Sequence, residues 1–244
     1  MEPFAYRPAA DAGLGAAARW ASPSRETGTG EWLAQHAWWA AVRTYLRVIH
    51  RFSVTGRENL PPSPPYVVVA NHTSHLDALL LGGSLPATHR ARAFPIAAGD
   101  TFFQTRTASA LSAVLLNALP MWRRSCGSHA LAGLRDRLTN ESCVFLLFPE
   151  GTRARDGHMA PFRAGLGRLV ASTRIPVVPC RIDGAFEAWP PSRRRPRAGK
   201  IRVAIGPPLV FDGLPDARAG WDRVAIDAHA AVFALGRARQ SLPS

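Results

Sequence analysis

The chain has 244 residues, enough to bury one substantial core, and nothing in its composition demands a second. Thirty Lys and Arg against 17 Asp and Glu leave a net charge of +13, which favours phosphate-bearing partners: nucleic acid, anionic lipid or a coenzyme. Cys126, Cys143 and Cys180 lack metal-ligand spacing and cannot all pair, which argues against a disulfide framework, and no aromatic RNA-binding pattern or finger spacing supports nucleic acid as the partner.

Residues 1–30 are rich in Ala, Gly, Ser and charge and lack the long apolar stretch of a secretory leader, so they read as a disordered N-terminal segment. Residues 31–55 form the next unit. Its helical pattern places Trp32, Leu33, Trp38, Trp39, Val42, Tyr45, Leu46 and Ile49 among the basic Arg43, Arg47, His50 and Arg51. That mixture suits either an amphipathic helix at a membrane headgroup boundary or a helix covering a sheet. No run approaches the ~20 apolar residues of a spanning helix, so the chain is expected to lie on a membrane rather than cross it.

Residues 56–244 read as one catalytic domain. A β-branched run at 66–70 predicts a buried strand, followed by a helix at 75–82 and a strand at 91–97 that tolerates Pro95 near an edge. Helices are expected to about residue 116. The apolar stretch 108–122 reads as core by default, with an acyl-tunnel wall or a membrane-dipping loop as alternatives. Leu131, Leu134 and Leu138 recur at helical spacing, and 143–148 is an unbroken apolar strand. A helix at 162–171, strands at 176–182 and 200–205, and a closing amphipathic helix at 215–239 complete the pattern. Residues 190–197 form a stiff basic loop, either a solvated turn or a contact for phosphate. Strands alternating with helices predict an α/β fold: a largely parallel sheet flanked by helices on both faces, with active residues at strand ends.

Two segments concentrate the chemistry. The run from Asn71 to Asp77 follows the first predicted strand, and the run from Phe148 to Arg153 follows the strand at 143–148. A histidine five residues before an aspartate can aim one ring nitrogen at the carboxylate and the other at a hydroxyl, provided the turn folds back. Asn71 and Ser74 are expected to cap that turn, and His75 to sit at the helix start or on the surface. In the second segment Gly151 permits close backbone approach, Thr152 offers a hydroxyl and Arg153 presents a planar fork. Arg155, Asp156 and Gly157 read as turn residues, and Arg168 as a helix-face residue.

In these motifs the sequence resembles the glycerolipid acyltransferase family, whose best-known members are the 1-acylglycerol-3-phosphate acyltransferases. The blocks are NHxSxxD at 71–77, a looser one at 119–124, FPEGTR at 148–153 running on to Gly165, and 175–179. The resemblance implies His72 as general base and Asp77 as the residue that fixes its tautomer. It implies an acceptor-binding group of Glu150, Gly151, Thr152 and Arg153, with Glu150 orienting Arg153 or the acceptor's glycerol, and with Arg123, Arg124 and Arg163 adding positive potential. The second block departs from the family's usual glycine, apolar pair and arginine, which leaves the acceptor open.

The implied reaction moves a fatty acyl group from acyl-CoA or acyl carrier protein to a lysophospholipid hydroxyl. The acceptor expected is 1-acylglycerol-3-phosphate, giving phosphatidate, with another lysolipid such as an aminoacyl lipid as the alternative within this chemistry. No metal or cofactor is expected, because an acyl thioester is already activated. The expected setting is the cytoplasmic face of a membrane, on an anionic surface, without nucleic acid. From a different class, a noncatalytic binder of anionic membranes would also use the charge.

Overall fold

The computed structural model of the protein describes residues 13, 15, 29–98, 119–121 and 128–237. At its centre is the β-branched strand β2 (Tyr66–Ala70), buried along its whole length. A strand covered on both faces has no need of polar alternation. Tyr66, Val68 and Ala70 enter one apolar cluster while Val67 and Val69 enter another, as the two-residue period of a strand requires. β5 (Val144–Leu147) divides the same way, with Val144 and Leu146 on the first face and Phe145 and Leu147 on the second.

The sheet has seven strands. β1 (Ser53–Thr55), β3 (Ala93–Ala98), β4 (Leu119–Met121), β6 (Val177–Asp183) and β7 (Arg202–Ile205) join the two central ones in the order β1-β7-β6-β2-β5-β3-β4. Every neighbouring pair is parallel except β6 and β7. The edge strands β1 and β4 have three residues each, too few for a period to show in the sequence. β4 is the start of the second motif block. Pro120 therefore lies on an edge, and Pro95 immediately precedes the β3 residues that pair with β4, so both prolines sit where a sheet tolerates them.

Helices cover both faces. α1 (Thr29–His50), α2 (Asp77–Ser84) and the short α6 (Ala185–Ala188) pack on the Tyr66 and Val68 side; α4 (Ser128–Asn140), α5 (Gly165–Val170) and α7 (Arg218–Arg237) cover the Val67 and Val69 side. A single turn, α3 (Ala87–Arg90), precedes β3.

The division at residue 55 does not separate a distinct unit. Val42 and Leu46 of α1 are buried in the core, Trp38, Trp39 and Tyr45 pack against it, and β1 belongs to the sheet. Contact is so close that a Cβ at Gly82 would stand 2.3 Å from the Trp39 ring. The inner face of α1 thus covers the sheet, while Leu33, Val48 and Ile49 remain exposed on it. Among the described residues no helix is long and apolar enough to cross a membrane. The expectation for residues 1–30 falls almost wholly outside the described residues, as do most of 108–122 and all of Arg123, Arg124 and Cys126.

Candidate active site

β2 and β5 are parallel neighbours in the register Val69 opposite Leu147. Both chains therefore leave the sheet at the same edge, the usual position of sites in open parallel sheets. The offset of 78 residues between paired strand positions persists beyond them. His72 meets Glu150, and His75 meets Arg153, at that same separation.

The turn from Asn71 to Asp77 is held by its own polar groups. Asp77 opens α2, is fully buried, and accepts three hydrogen bonds on Oδ2: from the Thr73 amide at 2.7 Å, the Ser74 amide at 2.8 Å and His72 Nδ1 at 2.8 Å. A carboxylate accepts only, so Nδ1 carries the proton toward Asp77 and Nε2 presents its lone pair. His72 Nε2 has no partner among the described residues, and the imidazole is 23% exposed. One ring face stacks on Phe148 with centroids 4.2 Å apart, so the ring is clamped between an aromatic plane and a carboxylate.

Asn71 does not cap this turn. Its amide group donates to Ile182 O at 2.9 Å and accepts from Ile182 N at 2.8 Å, taking the place of a ladder residue between β2 and β6. Ser74 does close the turn, accepting from the Leu76 amide at 3.2 Å while its hydroxyl donates to Trp189 O at 2.8 Å. The His75 amide donates to the same carbonyl at 3.2 Å. Trp189 thus ties the loop after α6 to the histidine turn. No motif signalled this, because its contribution is a backbone oxygen.

Glu150 does not take the first of its two expected roles, the orienting of Arg153. It is buried, and neither carboxylate oxygen reaches Arg153: Oε1 accepts from the His72 amide at 2.7 Å and Oε2 from the Ala160 amide at 2.9 Å. A buried carboxylate must be satisfied, and the amides of His72, just after β2, and Ala160, in the loop after β5, do so. Burial pushes the Glu150 carboxyl above its ordinary value, with the two amide hydrogen bonds opposing that rise. Its function in the fold is to brace the backbone of His72 against the loop after β5.

Gly151 has φ +78°, and a Cβ there would stand 2.9 Å from Arg163 Nε. Its role is to admit the Arg163 side chain, which donates from Nε to Glu150 O at 3.1 Å. Arg163 is thereby part of the loop's frame, and because its amide bonds to Pro149 O, α5 begins at Gly165 rather than at residue 162. Thr152 is exposed. Arg153 lies against the His75 ring, hydrogen-bonded from Nη1 to Nδ1. His75 is exposed but built in: its ring also packs on Trp189 at 5.0 Å, and burial together with the Arg153 charge holds its pKa below the ordinary imidazole value. Arg155 is exposed, Asp156 accepts from the His158 amide at 3.0 Å, and Gly157 has φ +81°, all turn chemistry. Arg168 lies over the Trp221 ring at 5.1 Å. In the basic loop, Arg193 donates to Glu187 O at 2.8 Å and so folds the loop, while Arg194, Arg195 and Arg197 are exposed. Cys180 is buried in β6, where desolvation raises its thiol strongly, which leaves it inert as a nucleophile.

Fold and site together define an α/β protein with an oriented histidine at the end of a central strand and an arginine-bearing loop beside it. Residues 51–183, more than half of the chain, match the family model described as Acyltransferase. The chain belongs to the acyltransferase family. It is 32% identical over 169 residues to the 1-acyl-sn-glycerol-3-phosphate acyltransferase alpha of Bos taurus, covering 68% of this chain and 57% of that protein. The corresponding Homo sapiens protein is also 32% identical, with 68% and 58% covered. The chain thus spans a little under three fifths of these relatives' length. The fold matches the crystal structure of the 1-acyl-sn-glycerophosphate acyltransferase PlsC from Thermotoga maritima, with a TM-score of 0.67 at 23% identity over 88% of this chain and 81% of that one.

Proposed function

We propose that the protein transfers a fatty acyl group from an acyl thioester, carried by coenzyme A or acyl carrier protein, to the free hydroxyl of 1-acylglycerol-3-phosphate. The observation that carries this reading is the His72–Asp77 pair: one ring nitrogen tied to a buried carboxylate at 2.8 Å, the other without a partner among the described residues. In this reading Nε2 takes the proton of the acceptor hydroxyl as its oxygen attacks the thioester carbonyl. The new C–O bond forms, the C–S bond breaks, and the imidazolium returns the proton to the departing thiolate. Asp77 stabilises that imidazolium and fixes its tautomer. The thioester supplies the driving force, so the scheme needs no cofactor.

Arg153 is the residue proposed to meet the acceptor's phosphate, because its guanidinium stands beside the histidine turn with a neutral ring as its neighbour. Arg123 and Arg124 follow β4 in the sequence and belong to the same proposed phosphate group. The relatives' names support this acceptor. Membrane-surface placement is also proposed: α1 carries the exposed Leu33, Val48 and Ile49 together with Arg43 and Arg47, a composition suited to headgroups of an anionic leaflet.

The test is an assay in mixed micelles with a defined acyl-CoA, its acyl carrier protein counterpart and several lysolipids, read by product mass for wild type and His72→Ala. Phosphatidate made by wild type alone is the expected result. A product from another lysolipid only would reassign the acceptor. Vesicle binding without any product would replace catalysis by surface binding.

A further inference from the structure

Away from the histidine turn, a cavity of about 180 Å³ is lined by Arg43 and Arg47 of α1, Arg57 after β1, and Phe52, Val54 and Gly83. This volume is several times the ~30 Å³ share of one water. Arg43 and Arg47 stand one helical turn apart and so share a face of α1, while Arg57 reaches the space from a separate segment. The side chains of the three form no ion pair or hydrogen bond with any described residue. Arg90 adds a fourth charge nearby. Burial, and after it the charge of Arg43, hold its guanidinium below the ordinary value; it lies over the Trp39 ring at 5.2 Å and caps Leu85 O at 3.2 Å.

Like charges gathered around one recess repel unless something compensates them, as Asp222 compensates Arg218 and Asp227 compensates Arg223 on α7, each at 2.8 Å. The recess has guanidinium forks on its rim and apolar groups, Phe52 and Val54, on its lining. That chemistry selects a compact oxyanion that accepts several N–H bonds at once. Gly83 lies six residues beyond Asp77 on α2, which places the cavity ~9 Å further along the helix axis than the catalytic aspartate. A ligand here is therefore separate from one at Arg153.

We propose that the recess formed by Arg43, Arg47 and Arg57 is a second phosphate-binding site, independent of the acyl-transfer site. Its ligand is a phosphate mono- or diester, supplied either free in solution or as a lipid headgroup.

The test uses the full chain in two arms. In the first, inorganic phosphate and glycerol 3-phosphate are titrated calorimetrically at fixed ionic strength into wild type, Arg47→Ala/Arg57→Ala and Arg153→Ala. In the second, the same proteins are floated with vesicles of phosphatidylglycerol and phosphatidylcholine, against phosphatidylcholine alone. Phosphate binding weakened at least about tenfold in the double variant and kept in Arg153→Ala supports a site for free phosphate. Loss confined to the anionic vesicles, and not restored by Arg47→Lys/Arg57→Lys, supports a headgroup site that needs the guanidinium fork. Equal binding by wild type and double variant in both arms overturns the proposal, as does full restoration by the lysine pair, which would mark diffuse surface charge. Circular dichroism checks the fold, and if the alanine pair unfolds, Arg57→Gln is read in its place by the same criteria.

Discussion

The turn after β2 and the loop after β5 leave the sheet side by side, yet they spend their polar groups differently. Asn71, Ser74 and Asp77 are buried and bonded to β6, to Trp189 O and within the turn, and His72 Nε2, like the buried Asp77 Oδ1, has no partner among the described residues. The loop is divided. Glu150 is buried and holds two backbone amides, while Thr152 and Arg155 face outward and the half-buried Arg153 hydrogen-bonds the His75 ring. Rigidity is concentrated around the proposed general base. The positive charge that would meet a diffusing ligand is left accessible, which is how a preorganised base and an adaptable phosphate contact differ physically.

The sharpest way to break this contrast is His72→Ala, expected to lower turnover by about 10²- to 10⁴-fold with the fold retained, since Asp77 Oδ2 keeps the Thr73 and Ser74 amides. Unaltered turnover in the folded variant would end the assignment of the base. Asp77→Ala should differ in kind. It strands two buried amides as well as the imidazole, so activity is expected to fall comparably and unfolding free energy to drop by about 1–3 kcal/mol, read by denaturant titration.

Arg153→Ala tests the open side. The KM for a phosphate-bearing acceptor should rise about tenfold or more while kcat changes little, and an acceptor without phosphate should be unaffected. A loss mainly in kcat would instead place Arg153 in the rigid part of the site.

The smallest expected effect is a pH slope from Glu150. Burial raises its folded-state pKa above the ordinary value of 4.5, so between those two values the folded chain binds a proton that the unfolded chain has released. Its contribution to stability is therefore fully present below the ordinary value and is lost as pH rises through the folded value. Comparing unfolding free energies of wild type and Glu150→Gln over this window should show the slope in wild type only. A parallel pair of curves would mean that the two amide hydrogen bonds cancel the cost of burial.

Much of this architecture was legible in the chain. β2 and β5 announced themselves because strands buried on both faces carry unbroken apolar runs, and the five-residue spacing from His72 to Asp77 fits a turn that brings the ring onto the carboxylate. Edge strands of three residues carry no period, so β1 and β4 did not show.

What the sequence by itself determined was local: which segments are buried, where turns fall and which residue types stand together. Tertiary structure alone decided the partners. Parallel pairing of β2 with β5 set the 78-residue offset that brings Glu150 under the His72 backbone rather than beside Arg153, and the exposed His75 against Arg153. It also brought arginines from α1 and from the segment after β1 around one recess. Periodicity is a property of neighbours along the chain. Register is fixed only when two strands bury their side chains against the same helices, so no motif could have stated it.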